Sequence, residues 1–242
     1  IPLAFYMNNG SSLRYSGGAT SNFIHCVTVG PNSYAAVSMS GGSMSARKDA
    51  VLLYGNGSRL SVGGGAVNGN IVVAGSGSDT NCQFHLSGGT VNGDVTLSMS
   101  QGANMTGSDN GITISAGTVN GNVTVGSRAT GSLTISGGTV TGTVSKTASD
   151  APATISVTGG TFPKCDVTAY LDADHVYNAE TGAVTEYVAV YGDTRYADID
   201  KALTAWAEGG GTLELLTDCT ADFTEGLSVE KNAELRLGGK TL

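Results

Sequence analysis

A Gly-Gly pair returns at 17–18, 41–42, 64–65, 88–89, 137–138 and 159–160, and Ala116-Gly117 fills the one gap in the series. The second positions are spaced 24, 23, 24, 28, 21 and 22 residues apart. Three residues ahead of each block follow one pattern, apolar, polar, apolar: Leu13-Arg14-Tyr15, Val37-Ser38-Met39, Leu60-Ser61-Val62, Phe84-His85-Leu86, Ile112-Thr113-Ile114, Leu133-Thr134-Ile135 and Ile155-Ser156-Val157. Alternation with period two is the signature of a strand with one face on a core and one in water. One such copy buries almost nothing alone, so the copies must stack.

A second set of strands follows the glycines. Ile71-Val72-Val73, Val95-Thr96-Leu97, Val123-Thr124-Val125 and Val144-Ser145-Lys146 align, and Ile24-His25-Cys26 takes the same phase in the first copy. Between the two sets stand Val67-Asn68-Gly69-Asn70, Val91-Asn92-Gly93-Asp94, Val119-Asn120-Gly121-Asn122 and Val140-Thr141-Gly142-Thr143. Glycine at a fixed offset suits a turn, and asparagines at matching turn positions can stack into a ladder. The second copy is irregular, with Ser45–Ala50 reading as a charged loop.

These features predict an all-β chain. Residues 1–162 form a parallel β-helix solenoid of about seven coils of 21–28 residues, right-handed by the crossover rule for parallel strands. At about 4.8 Å per coil, seven coils give a rod about 34 Å long. The composition agrees. Gly, Ser and Thr supply 90 of the 242 residues and charged residues only 13%, which excludes a helical bundle. Glycine does not fall at every third position, which excludes collagen. No apolar run approaches the length of a membrane span.

After Phe162 the period breaks at Pro163, and residues 163–190 read as a connecting segment with a hairpin turn at Tyr177–Gly182. Residues 191–242 read as a small α+β segment. Ile199, Ala202, Leu203 and Trp206 lie at helical spacing, Asp198 and Asp200 fall in the first turn, and Gly209-Gly210-Gly211 ends the helix. Trp206 reads as a core anchor. Short strands follow at Thr212–Leu216, Gly226–Val229 and Glu234–Leu237, where the chain reads as the start of a second β-helix that is cut short. With Ile1 at its start, the chain reads as a mature form or an excised piece of a larger one.

Charge is divided between the two parts. Residues 1–149 hold four acids and six bases, and residues 150–242 hold 16 acids and six bases. Neither part is basic enough to favour nucleic acid through counterion release.

The outward positions define the candidate site. The first ladder runs Arg14, Ser38, Ser61, His85, Thr113, Thr134 and Ser156; the second runs His25, Val72, Thr96, Thr124 and Ser145. The candidate ligand-binding residues are Ser61, His85, Thr113 and Thr134 on the first and Thr96 and Thr124 on the second. Such a hydroxyl face suits sugars or another extended polymer, although serine and threonine are also what a solvent-facing strand tolerates. Ice binding is disfavoured, because the threonine ladder is short and mixed with serine.

Catalysis would need clustered carboxylates. Asp94 sits in a turn and Asp49, Asp79 and Asp109 in inserted loops, with no two at equivalent positions of adjacent coils. No enzyme activity, metal or cofactor is therefore expected. His25, Cys26, Cys82 and His85 match a zinc set in type but not in phase, since the two histidines fall about three coils apart, roughly 14 Å. The same separation forbids a Cys26–Cys82 disulfide. Cys165 and Cys219 lie outside the regular coils, where a bridge between them stays open. The sequons at Asn9, Asn56, Asn104 and Asn122 are expected by chance at this Ser/Thr content.

The Ser-Gly-Gly-Thr-Val-x-Gly repeats, the stretch Thr158-Gly159-Gly160-Thr161-Phe162 leading to Asp166–Leu171, and the run from Tyr196 through Gly209–Asp218 to Leu237–Leu242 resemble large repeat proteins on the surface of gut-type Gram-positive anaerobes. The resemblance implies a pectate-lyase-like right-handed β-helix in a secreted or wall-attached, adhesin-like protein that binds host or dietary glycans or glycoproteins. It carries over no catalytic residues, and the wall-sorting motif of such proteins is absent. Two other readings stand beside it: a passive stalk that lifts another domain, and a polysaccharide lyase or hydrolase.

Overall fold

In the computed structural model the chain is a parallel β-solenoid, 54% strand and 6% helix. The structure describes residues 3–30, 33–55, 57–75, 81–99, 110–222 and 226–242. Asp79, Asp109, Asn56 and Asn104 lie outside the described residues. The chain divides into two compact units. One comprises residues 1–172 and 177–184, the other residues 173–176 and 185–242.

The first unit is the solenoid, of about nine turns rather than seven. The chain is already coiled before the first glycine pair, where Leu3–Met7 runs parallel to His25–Val29. Each coil carries three parallel ladders rather than two. The first is the strand ahead of the glycine pair. The second is short and follows the pair directly, as Thr90-Val91, Thr118-Val119 and Thr139-Val140 in register. The third is the strand after the Asn-Gly turn, with Val95, Val123 and Val144 in register. The middle ladder escapes period-two reading because it is only two or three residues long.

The inward column is continuous. Leu60, Phe84, Ile112 and Leu133 stack on the first ladder, Val67, Val91, Val119 and Val140 on the second, and Ile71, Val95 and Val123 on the third, all nearly inaccessible to solvent. Aliphatic side chains stacked on their own kind bury surface on both sides, which is the main favourable term for a repeat fold. The glycine pair lets the coils approach. A Cβ on Gly64 would stand 2.6 Å from the Ser40 carbonyl oxygen of the coil before it. At Gly138 φ is +77°, and a Cβ would also stand 2.7 Å from the Gly117 carbonyl oxygen.

Asparagine ladders close the turns, as expected. Asn120 Nδ2 donates to Asn92 Oδ1 (2.9 Å), Asn92 Nδ2 to Asn68 Oδ1 (2.7 Å), and Asn68 Nδ2 to the hydroxyls of Ser43 and Ser45. In a second file, Asn70, Asp94 and Asn122 each accept the backbone N–H of the equivalent residue one coil on, at 3.0, 2.7 and 2.9 Å. Asp94 is thus part of the turn ladder.

Two expectations need correcting in the early coils. Ser45–Ala50 is not a separate loop; Ser43–Leu53 is one strand whose extra residues form bulges on either side of Asp49. The outward residue of the third ladder in the first coil is Thr28, not His25, because Val27–Val29 pairs with Val51–Leu53. The ladder runs Thr28, Leu52, Val72, Thr96, Thr124, Ser145. The reason is that the first two coils each carry three more residues between the glycine pair and this strand than the third coil does, so counting from the glycine pair as in the later copies lands three positions early.

The solenoid ends in a change of direction. Gly160 and Thr161 pair antiparallel with Val184 and Ala183, and Phe162 and Val167 fill the last of the core. The turn at residues 178–183 is held by Asn178, whose Oδ1 accepts the N–H groups of Glu180 and Thr181.

In the second unit, the helix Ile199–Gly209 begins at Asp198, whose carboxylate accepts the N–H groups of Asp200 and Lys201, and ends at Gly210 with φ +74°. Its buried face is Ile199, Ala202, Leu203, Trp206 and Ala207. Trp206 is the expected anchor; its Nε1 donates to Gly211 O at 3.0 Å. Ala189–Tyr191 pairs antiparallel with Thr194–Tyr196 and with Gly211–Leu215, and Gly211–Leu215 pairs parallel with Ala233–Arg236. Residues 226–229 are not a strand. Among the described residues no helix is long and apolar enough to cross a membrane.

Candidate functional site

The first ladder is in register over its whole length: Arg14, Ser38, Ser61, His85, Thr113, Thr134 and Ser156 stand in line on successive coils. The register follows from the inward Leu/Phe/Ile column, since a one-residue slip would turn that column to solvent. Parallel pairing then repeats each outward side chain about every 4.8 Å.

Ser61, His85 and Thr113 line a shallow depression of about 250 Å³, together with Arg59, Gln83 and Phe84. His85 and Arg59 are exposed. His85 Nε2 lies 3.1 Å from Ser115 Oγ, which itself donates to the Leu86 carbonyl oxygen. That contact holds the imidazole across the coil boundary. The Gln83 carboxamide lies over Gly111, the residue in line with it on the next coil; a Cβ there would collide with it. Gly111 therefore makes room for Gln83.

Thr134 lies one coil beyond, on the same ladder and outside the lining of the depression. Thr96 and Thr124 are in register with each other on the third ladder and are half-buried. They form a separate row. Arg59 and Gln83 were missed from the sequence because they stand two residues ahead of Ser61 and His85, outside the three-residue stretch that repeats. Period two extended by one step would have found them.

The lining is rich in hydrogen-bond donors and acceptors and includes no carboxylate. It suits a hydroxylated ligand lying along the solenoid axis.

A second constellation surrounds His25. Its Nδ1 lies 3.2 Å from the Asp49 carbonyl oxygen and 3.8 Å from Asp49 Oδ2. Asp49 is only 7% exposed, and its carboxylate also takes Asn70 Nδ2 at 3.3 Å, with Lys48 Nζ at 3.9 Å. This is a satisfied cluster at the bulge, where Asp49 occupies the ladder position in line with Asn70.

All four cysteines are free thiols. Cys26 is fully buried, with its Sγ donating to the Ser45 carbonyl oxygen. Cys82 is also fully buried; its Sγ donates to the Gly55 carbonyl oxygen, and burial pushes its pKa up to about 11. Among the described residues no three His, Cys, Asp or Glu side chains converge as a metal-binding set.

Fold and site together define a parallel β-solenoid repeat protein with an open, hydroxyl-lined face. Comparison with protein-family models, with curated proteins and with solved structures finds no match.

Proposed function

We propose that this chain is a non-catalytic binding module of a secreted or cell-surface, adhesin-like protein, and that it holds glycans or glycoproteins on the outward face of its first ladder. The observation that carries this reading is the depression at Ser61, His85 and Thr113, where hydroxyl, imidazole, carboxamide and guanidinium groups converge on an open, regular surface. Sugars are bound through many modest hydrogen bonds from such side chains, each worth about 1 kcal/mol. The lining holds no pair of carboxylates, the arrangement that sugar hydrolysis uses.

The test is binding of residues 1–242 to a panel of glycans, mucins and matrix proteins. Saturable binding that weakens several-fold in His85→Ala or Thr113→Ala supports the reading. Uniform absence of binding removes it. His85 and Thr113 face outward, so both variants should keep their β-sheet signal and lose less than about 0.5 kcal/mol of stability.

The second reading is a passive stalk. It is favoured by the parallel rung of Gly211–Leu215 with Ala233–Arg236 in the second unit, whose paired residues are 22 apart in sequence. That spacing matches the solenoid's own, and a second β-helix beginning there would make the chain part of a longer array. An empty binding panel would leave this reading standing.

A further inference from the structure

Among the described residues, the strands of the face that carries the depression hold charge of one sign only. Its strands are Ser11–Tyr15, Ala35–Met39, Arg59–Val62 and the opening residues of Gln83–Asn92, Gly111–Val119, Ser132–Val140 and Thr154–Thr161. No aspartate or glutamate occurs in any of them. Arg14 and Arg59 do, and both are exposed. Arg59 lines the depression, and Arg14 stands two coils from Ser61 on the ladder that crosses it. At about 4.8 Å per coil this sets the two guanidinium-bearing positions roughly 10 Å apart along the axis. Among the described residues neither arginine has a carboxylate within ion-pair distance, whereas Arg195 and Arg236 each have one at 3.0 Å. These two arginines belong to a chain of net charge −8.

An arginine kept without a carboxylate, beside donors that converge on one depression, is matched to an oxyanion on the ligand. We propose that the ligand of this face is an anionic polysaccharide, with sulfate esters or uronate carboxylates spaced along its chain to meet Arg59 and Arg14 while its hydroxyls meet Ser61, Gln83, His85 and Thr113. This rests on the glycan-binding reading above and names the ligand class. An exposed ion pair contributes little singly, so affinity comes from a ligand that repeats its charge. Nucleic acid fits less well: the lining offers no exposed aromatic platform for bases, Phe84 being 1% exposed.

The test titrates residues 1–242 with four probes of equal chain length: a sulfated glycosaminoglycan, its desulfated form, a polyuronate and a neutral β-glucan. A single-stranded oligonucleotide of equal charge is the fifth. Saturable binding of the sulfated chain, the polyuronate or both, with the neutral glucan at least tenfold weaker, is expected; which of the two binds identifies the anion. Arg14→Gln and Arg59→Gln should each weaken that binding about two- to fivefold. The double variant should lower the slope of log K against log salt by about one per arginine. Both variants should keep the parent's circular dichroism and melting temperature. Neutral glucan binding as tightly as the charged chains, with the arginine variants unchanged, would overturn the proposal and leave the glycan reading intact. Oligonucleotide binding as tightly as the anionic glycans would overturn it too, as attraction to any polyanion. No binding by any glycan would overturn both.

Discussion

Most glycines do different work in the two units, Gly209 and Gly210 of the second being crowded by Tyr191, Lys231 and Asn232. In the solenoid it is a spacing device. A Cβ on Gly64, Gly93 or Gly159 would stand 2.5–2.6 Å from a carbonyl oxygen of the preceding coil, so neighbouring backbones meet where a side chain would be. In the second unit Gly192, Gly211, Gly226, Gly238 and Gly239 have open space around the Cβ position and are needed only for backbone conformation. The cores differ in the same sense. The solenoid core is a column to which every coil adds the same increment. The second core is a single cluster of Ala189, Ile199, Ala202, Leu203, Trp206, Leu213 and Leu215, closed by one helix. A repeat architecture is held by proximity between copies; the small α+β unit is held by one local cluster between its helix and its sheet.

Truncating the cores should produce the largest effect. Phe84→Ala should cost the solenoid about 3–5 kcal/mol, and Trp206→Ala should cost the second unit a similar amount. If the two units are independent, each variant lowers one transition in a calorimetric melt and leaves the other in place. A single transition displaced equally by both would break the comparison.

High pH should act on the solenoid next. In the folded state burial holds the Cys82 thiol neutral to about pH 11, while in the unfolded chain it ionises near its ordinary value of 9.0. The unfolded state therefore releases its proton first, and stability falls as pH rises from 9 to 11, by roughly 2–3 kcal/mol for two pKa units. Denaturant titrations at pH 8 and pH 11 measure this, with Cys82→Ala as the control that should flatten the difference. An undiminished loss in that variant would assign the effect elsewhere.

The glycine contrast can be measured directly. Gly64→Ala forces two backbones apart and should cost about 1–3 kcal/mol by overpacking. Gly238→Ala meets only the conformational penalty at φ +57°, about 1 kcal/mol. Equal costs would show that the solenoid glycines are conformational after all.

The amide ladder should show the smallest effect. Asn92→Ala removes the link between Asn68 and Asn120 and should cost about 1 kcal/mol, since both neighbours stay open to water. A loss of several kcal/mol would mean that the ladder sets coil spacing rather than following it.

Much of the candidate site was legible. Ser61, His85, Thr113 and Thr134 fall in line in the structure as they do in the aligned repeats, because the apolar residues on either side admit only one phase. Arg59 and Gln83 were not legible as lining residues, since they lie outside the stretch that repeats. The His25–Asp49 cluster was hidden for another reason. Three extra residues, carried by both of the first two coils, became a bulge instead of a loop, which set Asp49 in line with Asn70 and left Thr28 rather than His25 on the third ladder.

The amino-acid sequence by itself determined the stacking of the coils, their inward column and the order of the outward ladder, because all three follow from a repeated period and the burial it demands. Only the tertiary structure decided the short middle ladder in each coil, the place of Asp49 beside His25, and the depression shaped by Gly111. Those depend on which backbone a coil meets across the stack, and an insertion changes that meeting without changing any local pattern.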